Sequence, residues 1–300
     1  MEKPPKVTVG IPVYNGQKYL ERCLECYLGQ TLEDCEILIA DNGSSDETSA
    51  ICERYAAKDA RVKIHRADKN RGASWNYNRL LDLCRSPYFK WAASDDLVSP
   101  DYLEKCVAAL EANPDLILAY GATILIDGEG KETDRYVERI RIDSPRASHR
   151  LREYLLKVGL TNAIYGVIRI GELRATLGLG YFASSDIVLL AELAMRGRFA
   201  ELAGTTFYRR LHENAYVSNK SWSQKSVWFD PRNAGKLILP TWIHLAAYIR
   251  SIRRTPMPAG ERLRCYAVFA HRESWETGRL WNELLMGLRV KLFGMPKEAF

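Results

Sequence analysis

The sequence lacks an apolar run of the roughly 18–20 residues that a helix needs to cross a bilayer. Its first residues, Met1 to Lys6, are charged and Pro-rich and lack the apolar core of a signal peptide. The seven cysteines are odd in number and scattered, which disfavours a disulfide framework and favours reduced thiols. We therefore expect a cytoplasmic protein.

Most of the chain lacks a net positive charge. The 300 residues are 47% hydrophobic and 27% charged, typical of a globular protein with a sizeable core. The net charge is +6, but residues 231–300 contain 12 Lys and Arg, 5 Glu and no Asp, a net charge of +7. Residues 1–230 therefore carry a net charge of −1. We predict a main domain at 1–220 and a basic helical C-terminal extension at 221–300.

Strand and helix patterns alternate along the first half of the chain. Runs rich in apolar and β-branched residues predict strands at 7–11, 36–40, 62–65 and 88–93. Amphipathic runs predict helices at 18–28, 47–57, 73–84 and 100–111. This alternation predicts an α/β fold, a Rossmann-like mostly parallel sheet with helices on both faces. Further on we predict strands at 122–127, 135–142, 163–170, 199–202 and 206–210, and helices at 150–158 and 185–196.

Two adjacent carboxylates, Asp95 and Asp96, directly follow the predicted fourth strand. On these residues alone a helix cap is the simpler interpretation, because Asp is a common capping residue. Neighbouring carboxylates repel each other, however, and Mg²⁺ or Mn²⁺ prefers such oxygen ligands and often shares them with phosphates. Polar residues also follow strand one (Tyr14, Asn15) and strand two (Asp41). Because open sheets bind ligands beyond the carboxyl ends of their strands, these positions favour a metal-assisted nucleotide or phosphate site.

Several segments, taken in order, resemble the motifs of the family 2 glycosyltransferases, which have the glycosyltransferase-A fold. They are 9–16, 30–31 with 36–46, 70–72 with Asn78, 94–96 with Pro100, Asp186 after a Gly-rich loop, and 208–212 followed by Ser218. The resemblance covers roughly residues 6–218. Three positions depart from it: Ala93 replaces the first acid of the acidic motif, Ser185 replaces an acid before the presumed base, and Asn76-Tyr77 replaces an Ala-Arg pair.

The resemblance implies a metal-dependent enzyme whose 1–220 domain binds a nucleotide sugar. It would transfer the sugar to a carbohydrate or lipid-linked acceptor in the synthesis of surface polysaccharide or glycolipid. The implied ligands of Mg²⁺ or Mn²⁺ are Asp96, Asp95 and His212, with Asp96 the main direct ligand. The implied donor-binding residues are Pro12, Tyr14, Asn15, Asp41, Arg71, Asn78 and Asp95. Among these, Asp41 would accept a hydrogen bond from the nucleobase, Tyr14 would stack on it, and Arg71 would pair with phosphate. On the residues alone, Tyr14 equally fits a core or turn aromatic, and Arg71 equally fits a solvated loop position.

The acceptor hydroxyl must lose its proton as it attacks the sugar, which requires a base opposite the leaving group. The resemblance gives this role to Asp186, although Asp at a helix start is also a common cap. Ser184 and Ser185 supply no second carboxylate, so we expect direct displacement with inversion at the anomeric carbon. The loop at 213–224 is a predicted lid over the bound donor.

Two interpretations of the basic C-terminal extension stay open. Trp242, Leu245, Ile249 and Ile252 fall on one face of a predicted helix at 241–254, and Trp275 and Trp281 accompany basic residues further on. Such helices lie on anionic membrane surfaces, here the inner face. Their apolar stripes equally pack on a catalytic domain. Nucleic-acid binding is not expected, because no recognised reading motif accompanies the charge.

Two other functions compete with glycosyl transfer. A non-catalytic nucleotide-sugar-binding protein of the same fold would explain Ala93 and Ser185, whereas Asp95, Asp96 and Asp186 speak against it. A sugar nucleotidyltransferase would require a Gly-rich, basic loop after the first strand, and the segment 12–16 does not supply one.

Overall fold

The computed structural model describes residues 3–212, 221–273 and 277–293. The strands are β1 (Val7–Val13), β2 (Cys35–Asp41), β3 (Val62–Arg66), β4 (Tyr88–Trp91), β5 (Leu97–Val98), β6 (Leu116–Ile126), β7 (Glu132–Tyr136), β8 (Val167–Arg169) and β9 (Arg198–Arg210). The helices are α1 (Leu20–Leu28), α2 (Thr48–Lys58), α3 (Ala73–Leu83), α4 (Tyr102–Ala112), α5 (Ala147–Lys157), α6 (Ile170–Arg174), α7 (Ser185–Arg196), α8 (Trp222–Phe229), α9 (Pro240–Arg254), α10 (Ala259–Glu273) and α11 (Thr277–Phe293). Short 3₁₀ turns lie at Asn162–Tyr165 and Pro231–Asn233.

Within the described residues, nine strands form one sheet in the order β3-β2-β1-β4-β8-β6-β9-β5, with β7 paired to β6. The first four strands are parallel, and β1 pairs with β2 from Val7 opposite Cys35 to Val13 opposite Asp41. Every residue of β1 is buried, as expected for a strand covered on both faces. The α/β prediction is confirmed.

Helices cover both faces of the sheet, and each face has its own apolar cluster. One cluster contains the buried residues of α1, α2 and α4. The other contains those of α3, α5, α7, α9 and α10. The sheet is buried because amphipathic helices lie on both sides of it.

The second half of the sheet is mixed. Strand β8 runs antiparallel to both β4 and β6, β9 runs parallel to β6, and β5 is antiparallel to β9. Leu97, which directly follows Asp96, lies opposite Tyr208. This pairing brings the end of β9 to the acidic pair, although more than a hundred residues separate them in sequence.

Three predicted strands in this half have the wrong bounds. Strand β6 begins at Leu116 rather than 122, because its apolar start pairs with β8 and β9. The predicted strand 135–142 ends at Tyr136, and Ile140 and Ile142 instead bury their side chains in the core. The predicted strand 163–170 is a 3₁₀ turn followed by the short β8.

The two short strands predicted at 199–202 and 206–210 form the single strand β9. An irregularity in register lies between them, where Leu202 pairs with Gly121 and Thr206 with the next residue, Ala122. Gly204 within this irregularity has a φ of +74°, a conformation that glycine adopts without strain. The three extra residues therefore loop outward without ending the strand.

Helices α9 and α10 pack against the main domain. Tyr248, Ile252, Cys265 and Phe269 belong to the same apolar cluster as α5 and α7. Glu192 of α7, only 2% exposed, accepts a hydrogen bond from Ser251 Oγ (2.8 Å) and pairs with Arg196 and Arg254. The boundary between residues 220 and 221 stays a prediction. No helix within the described residues has both the length and the apolar character needed to span a membrane.

Glu261 links α10 to the start of α5. Its carboxylate accepts the Ser148 N–H at 2.7 Å and a hydrogen bond from Arg264 Nε at 2.8 Å. Burial by itself raises the pKa of Glu261, but the hydrogen bonds from Ser148 and the Arg264 charge outweigh it and lower the pKa to about 2. The ionised carboxylate therefore stabilises this helix contact.

Replacing Glu261 by Gln is expected to lower the free energy of unfolding at neutral pH by on the order of 1–3 kcal/mol. The folded-state pKa is lowered, so the stabilisation is present above the ordinary value of 4.5 and is lost as the pH falls towards 2. Urea unfolding of both proteins at neutral pH and near pH 3 measures it. The matched control is Glu153→Gln, which removes the Lys157 partner on α5. An equal difference at both pH values would contradict this role.

Candidate active site

The polar ends of β1, β2 and β4 lie side by side at one edge of the sheet, because these three strands are adjacent and parallel. The turns after β1 and β2 are bonded to each other. The Asn15 N–H donates to Ser44 Oγ (2.9 Å), and Asn15 Oδ1 accepts the Ser45 N–H (2.9 Å). Tyr14 is 47% exposed at this rim, whereas Pro12 is buried within β1.

Asp41 is buried at the end of β2, and both its oxygens have partners within the chain. Oδ1 accepts the Ser44 N–H at 2.9 Å, and Oδ2 accepts the Ser49 hydroxyl at 2.7 Å and lies 3.6 Å from Arg66 Nε. In this arrangement Asp41 shapes the turn that carries Ser44. Its predicted contact with a nucleobase stays a prediction.

Two arginines of this rim contact the ring of Trp75. Arg71 pairs with Asp68 at 2.7 Å and lies 4.8 Å from the ring centre, and Arg79 lies 4.6 Å from it. Arg79 Nη2 donates to the carbonyls of Asp41 (2.9 Å) and His65 (2.7 Å), and burial lowers its pKa to about 10. Sequence reasoning missed Arg79, although positions 75 and 79 lie one turn apart on the predicted helix.

The acidic pair meets the end of β9. Asp95 Oδ2 lies 2.8 Å from His212 Nε2, and both side chains are partly exposed. Asp96 is buried, and its Oδ1 accepts the Arg210 N–H at 2.7 Å. Burial, and then the charge of Asp95, raise the pKa of Asp96 well above its ordinary value. Asp95 is therefore the more accessible carboxylate of the pair, and Asp96 is the buried one.

Arg210 holds this loop in place, a role that was not predicted. Its Nε donates to the Asp95 carbonyl (2.8 Å), and Nη1 donates to the carbonyls of Asp127 (2.9 Å) and Gly128 (3.1 Å). Its guanidinium lies 4.7 Å from the Tyr19 ring centre, and the same ring is 5.0 Å from that of His212. Arg210 thus joins the acidic loop to the β6–β7 hairpin.

Asp186 lies in the first turn of α7, and its Oδ2 accepts the Thr161 hydroxyl at 2.8 Å. The loop before α7 is anchored by Asn78, whose side-chain amide donates to the Leu179 carbonyl and accepts the Leu179 N–H, both at 2.8 Å. Asn78 therefore positions the loop that leads to Asp186. Its predicted contact with the donor stays a prediction.

Strand β9 links the surroundings of Asp186 to the acidic pair. Arg209 Nη1 donates to Asn162 Oδ1 at 2.6 Å, and the hydroxyl of the neighbouring Thr161 donates to Asp186. The next residue of β9 donates its N–H to Asp96 at 2.7 Å. Two consecutive residues of one strand therefore contact the segment that holds Asp186 and the acidic pair.

Lys90, also missed by sequence reasoning, is fully buried in β4. Its ammonium donates to the main-chain carbonyls of Trp91 and Tyr165 and lies 4.9 Å from the ring centre of Tyr102. Burial lowers its pKa to about 8. In sequence, a lysine between two aromatic residues looks like an ordinary strand position.

The described residues contain no cluster of three or more His, Cys, Asp or Glu side chains that could hold a metal ion. The contact between Asp95 and His212 brings together two such side chains. Residues 213–220, which include Ser218 and most of the predicted lid, lie outside the described residues, as does Trp275.

The fold agrees with what comparison with known proteins finds. The model of the family described as "Glycosyl transferase family 2" matches residues 8–166, more than half of the chain. The chain belongs to this family. Among relatives of this family 2 protein, chondroitin synthase of Escherichia coli is 36% identical over 130 residues, which are 43% of this chain and 19% of the relative. Glycosyltransferase GlyG of Streptococcus pneumoniae serotype 4 is 33% identical over 98 residues, a third of each chain.

Two solved structures resemble this family 2 chain in fold. S. aureus TarS in complex with UDP-GlcNAc has a TM-score of 0.63 at 14% identity and covers 89% of this chain and 72% of its own. The mannosyltransferase PcManGT from Pyrobaculum calidifontis, in complex with GDP-Man and Mn²⁺, has a TM-score of 0.56 at 14% identity, over 99% and 78%. The likeness shows the glycosyltransferase-A fold. The chain spans less than half the length of the curated relatives named above.

Proposed function

We propose that this glycosyltransferase is metal-dependent and inverting, and that it transfers a sugar from a nucleoside-diphosphate donor to an acceptor hydroxyl. The observation that carries the proposal is that Arg209 and Arg210, at the end of β9, join the segment that holds Asp186 to the acidic pair. One carboxylate for the proton and a separate acidic pair for the leaving group are what direct displacement requires.

The donor set at the acidic pair fits a divalent ion. Asp95 and His212 offer an oxygen and a nitrogen at a partly exposed position, and Asp96 adds a second carboxylate beneath them. Mg²⁺ is commonly held by one or two carboxylates together with substrate phosphates, so a protein set this small is sufficient. When bound, such an ion would stabilise the charge that develops on the leaving diphosphate. The geometry favours Asp95 over Asp96 as the direct ligand.

Asp186 is the proposed base. The Thr161 hydroxyl donates to Oδ2, which fixes the orientation of the carboxylate and leaves Oδ1 to accept the proton of the acceptor hydroxyl. Ser185 beside it is buried and is not a carboxylate, so it does not compete with the acceptor hydroxyl as the nucleophile. Direct attack by the acceptor then inverts the configuration at the anomeric carbon.

The donor would lie along the strand ends, from Tyr14 and the bonded turns of Asn15 and Ser44 towards Asp95. Tyr14 is the exposed aromatic face on this rim, which supports stacking on a nucleobase. Arg71 is exposed next to Trp75, where its guanidinium can reach phosphate oxygens. The nucleotides of the TarS and PcManGT complexes, UDP-GlcNAc and GDP-Man, suggest the classes to try first.

The relatives suggest the acceptor class. Chondroitin synthase is named for a polysaccharide, and we propose that the acceptor here is a growing surface polysaccharide or glycolipid.

Thermal unfolding with a panel of nucleotide sugars tests donor binding. We expect one nucleotide class to raise the Tm in the presence of Mn²⁺ or Mg²⁺ and much less with a chelator. The Tyr14→Ala variant should reduce this shift, and Tyr181→Ala, an exposed tyrosine outside the proposed donor set, is the matched control. No shift with any nucleotide sugar would contradict the proposal.

We also propose that α11 contacts an anionic membrane surface. Trp281, Leu285, Leu288 and Leu292 are all exposed and lie on one face, being spaced by four, three and four residues. Glu283, the acidic residue of this helix, is turned towards α9, where it accepts the Thr241 N–H at 3.0 Å. The exposed face is thus apolar, with the exposed Arg289 close to it.

Sedimentation with vesicles tests this contact. Binding is expected with phosphatidylglycerol vesicles at low salt, and it should weaken as salt screens the charges. Replacing Trp281 and Leu288 together by Ser should abolish most of it, whereas Leu263→Ser, at an equally exposed position of α10, should not. Absence of binding at low salt, or self-association of the chain in place of vesicle binding, would overturn the assignment.

A further inference from the structure

A cavity of about 620 Å³ opens between α1, β5, the β6–β7 hairpin and β9, away from the candidate active site. None of the side chains proposed for the donor, the metal or the base lines it. Its volume is within the range of about 300–1,000 Å³ typical of sites that bind small molecules. It is therefore large enough for a ligand of its own.

The lining of this cavity combines an apolar floor with a few charged groups at the rim. Val98 and Ile126 are buried at the floor, and the partly buried Tyr208 adds an aromatic ring. Arg22, Glu25 and Glu132 are exposed members of the lining. Two of these rim side chains are held in place: Arg22 Nη1 donates to the Glu129 carbonyl (3.2 Å), and Glu25 Oε1 accepts the Tyr55 hydroxyl (3.0 Å).

This combination selects a neutral ligand rich in hydroxyl groups. The three rim charges sum to −1, which disfavours phosphates and other anions, while Arg22 disfavours a simple cation. Carboxylates accept several hydrogen bonds and a guanidinium donates several, so together they match hydroxyl groups that both donate and accept. The Tyr208 ring and the apolar floor suit the C–H faces of a sugar ring.

We propose that this cavity binds a neutral saccharide segment of the acceptor chain, away from the reacting hydroxyl. The inference rests on the proposed transfer of sugar to a carbohydrate. A chain held at a second point returns its reactive end to the site at a raised effective concentration, so weak binding in the cavity is enough.

The cavity shares its walls with the loop that carries the acidic pair. Val98 of its floor is bonded to Cys26 of α1 through its N–H (3.2 Å), and Leu97 pairs with Tyr208. Arg210 joins the Asp95 carbonyl to the hairpin that forms another wall. An occupant therefore contacts elements that hold Asp95, without contacting Asp95 itself.

Titration of the full chain with short neutral oligosaccharides, in the absence of any donor, tests the inference by saturation-transfer NMR. A uronate-containing oligosaccharide of equal length serves as the anionic comparison. We expect the neutral saccharides to bind, and Tyr208→Leu and Glu132→Gln to weaken that binding by about 5–10-fold each. The matched control, Glu53→Gln on the exposed side of α2, should bind like the parent.

Activity separates this inference from the proposed function. Donor hydrolysis by Glu132→Gln should equal that of the parent, because Glu132 touches none of the proposed reaction groups. If the parent hydrolyses no donor, the proposed function is contradicted, whatever the saccharide titration gives. The inference is overturned if no neutral saccharide binds, if the anionic one binds better, if both variants bind like the parent, or if Asp186→Asn abolishes binding.

Discussion

Replacing Asp186 by Asn is expected to lower kcat for glycosyl transfer by roughly 10²–10⁴-fold, the range for loss of a general base. Asn has the same shape and can still accept the Thr161 hydroxyl through its amide oxygen, so the start of α7 should keep its structure. The amide cannot take the acceptor's proton, so the loss should fall on kcat. The nucleotide-induced rise in Tm should stay as in the parent.

The matched control for Asp186 is Glu104→Gln, which removes an acidic side chain from the first turn of α4, away from the site. It changes the net charge by the same amount and should keep parental activity. Rates are compared at saturating donor and acceptor, so that a difference reports on kcat rather than KM. Full turnover by Asp186→Asn would remove the base assignment. Equal losses in both variants would point to a general effect of charge.

The second large effect is expected at the acidic pair. Replacing Asp95 by Asn, or His212 by Ala, should weaken the apparent affinity for Mn²⁺ and lower kcat by roughly 10²–10³-fold, as when one group stabilising a transition-state charge is removed. The reason is that the Asp95 carboxylate and the His212 imidazole lie 2.8 Å apart and are both partly exposed, so they are the side chains proposed to bind the metal ion directly. The measurement is activity titrated with Mn²⁺ for each variant.

Asp96→Asn separates the two possible ligand assignments. If Asp95 is the direct ligand, Asp96→Asn should keep most of the metal affinity, because its side-chain oxygen can still accept the Arg210 N–H. If Asp96 is the main ligand, as the sequence resemblance implies, Asp96→Asn should lower the affinity for Mn²⁺ more than Asp95→Asn does. Asp34→Asn, an exposed carboxylate change near the start of β2, is the control for charge. Unchanged Mn²⁺ dependence in Asp95→Asn would contradict the geometric assignment.

The parallel half of the fold follows from local patterns. The first four strands are short apolar runs or, in β3, an alternation of apolar and polar residues, and amphipathic helices separate them. Their type and order are therefore readable along the chain. The pairing of β9 with β6 and β5 is not readable in this way. It joins Tyr208 to Leu97 across more than a hundred residues, and only tertiary packing decides it.

The candidate site shows the same division. Asp95, Asp96 and Asp186 could be proposed from motif and position, because carboxylates at strand and helix ends are visible in sequence. The residues that hold these carboxylates in place could not be proposed in this way. Arg210 donates hydrogen bonds to main-chain carbonyls, and Lys90 is a charged residue buried among aromatic rings. Hydrogen bonds to carbonyls leave no residue pattern, since any residue supplies a carbonyl. Asn78 illustrates the point, because its side chain contacts the backbone of Leu179.

The basic C-terminal extension was open to two interpretations, and its helices differ in what they contact. Ile252 of α9 is buried in the main core, whereas Trp281 of α11 is exposed. Amphipathic periodicity predicts an apolar face for both helices, but it does not say which face meets a partner within the chain. That information is carried by contacts such as the one from Glu192 to Ser251.

Release of nucleoside diphosphate from a panel of nucleotide sugars, with Mn²⁺ or with a chelator, tests the central claim most directly. The account predicts that the parent cleaves at least one donor, that the chelator stops cleavage, and that added Mn²⁺ restores it. Asp95→Asn should release little at any Mn²⁺ concentration near that needed by the parent. Cleavage that continues unchanged in the chelator, or no cleavage of any nucleotide sugar with Mn²⁺ present, would contradict a metal-dependent glycosyl transfer at this site.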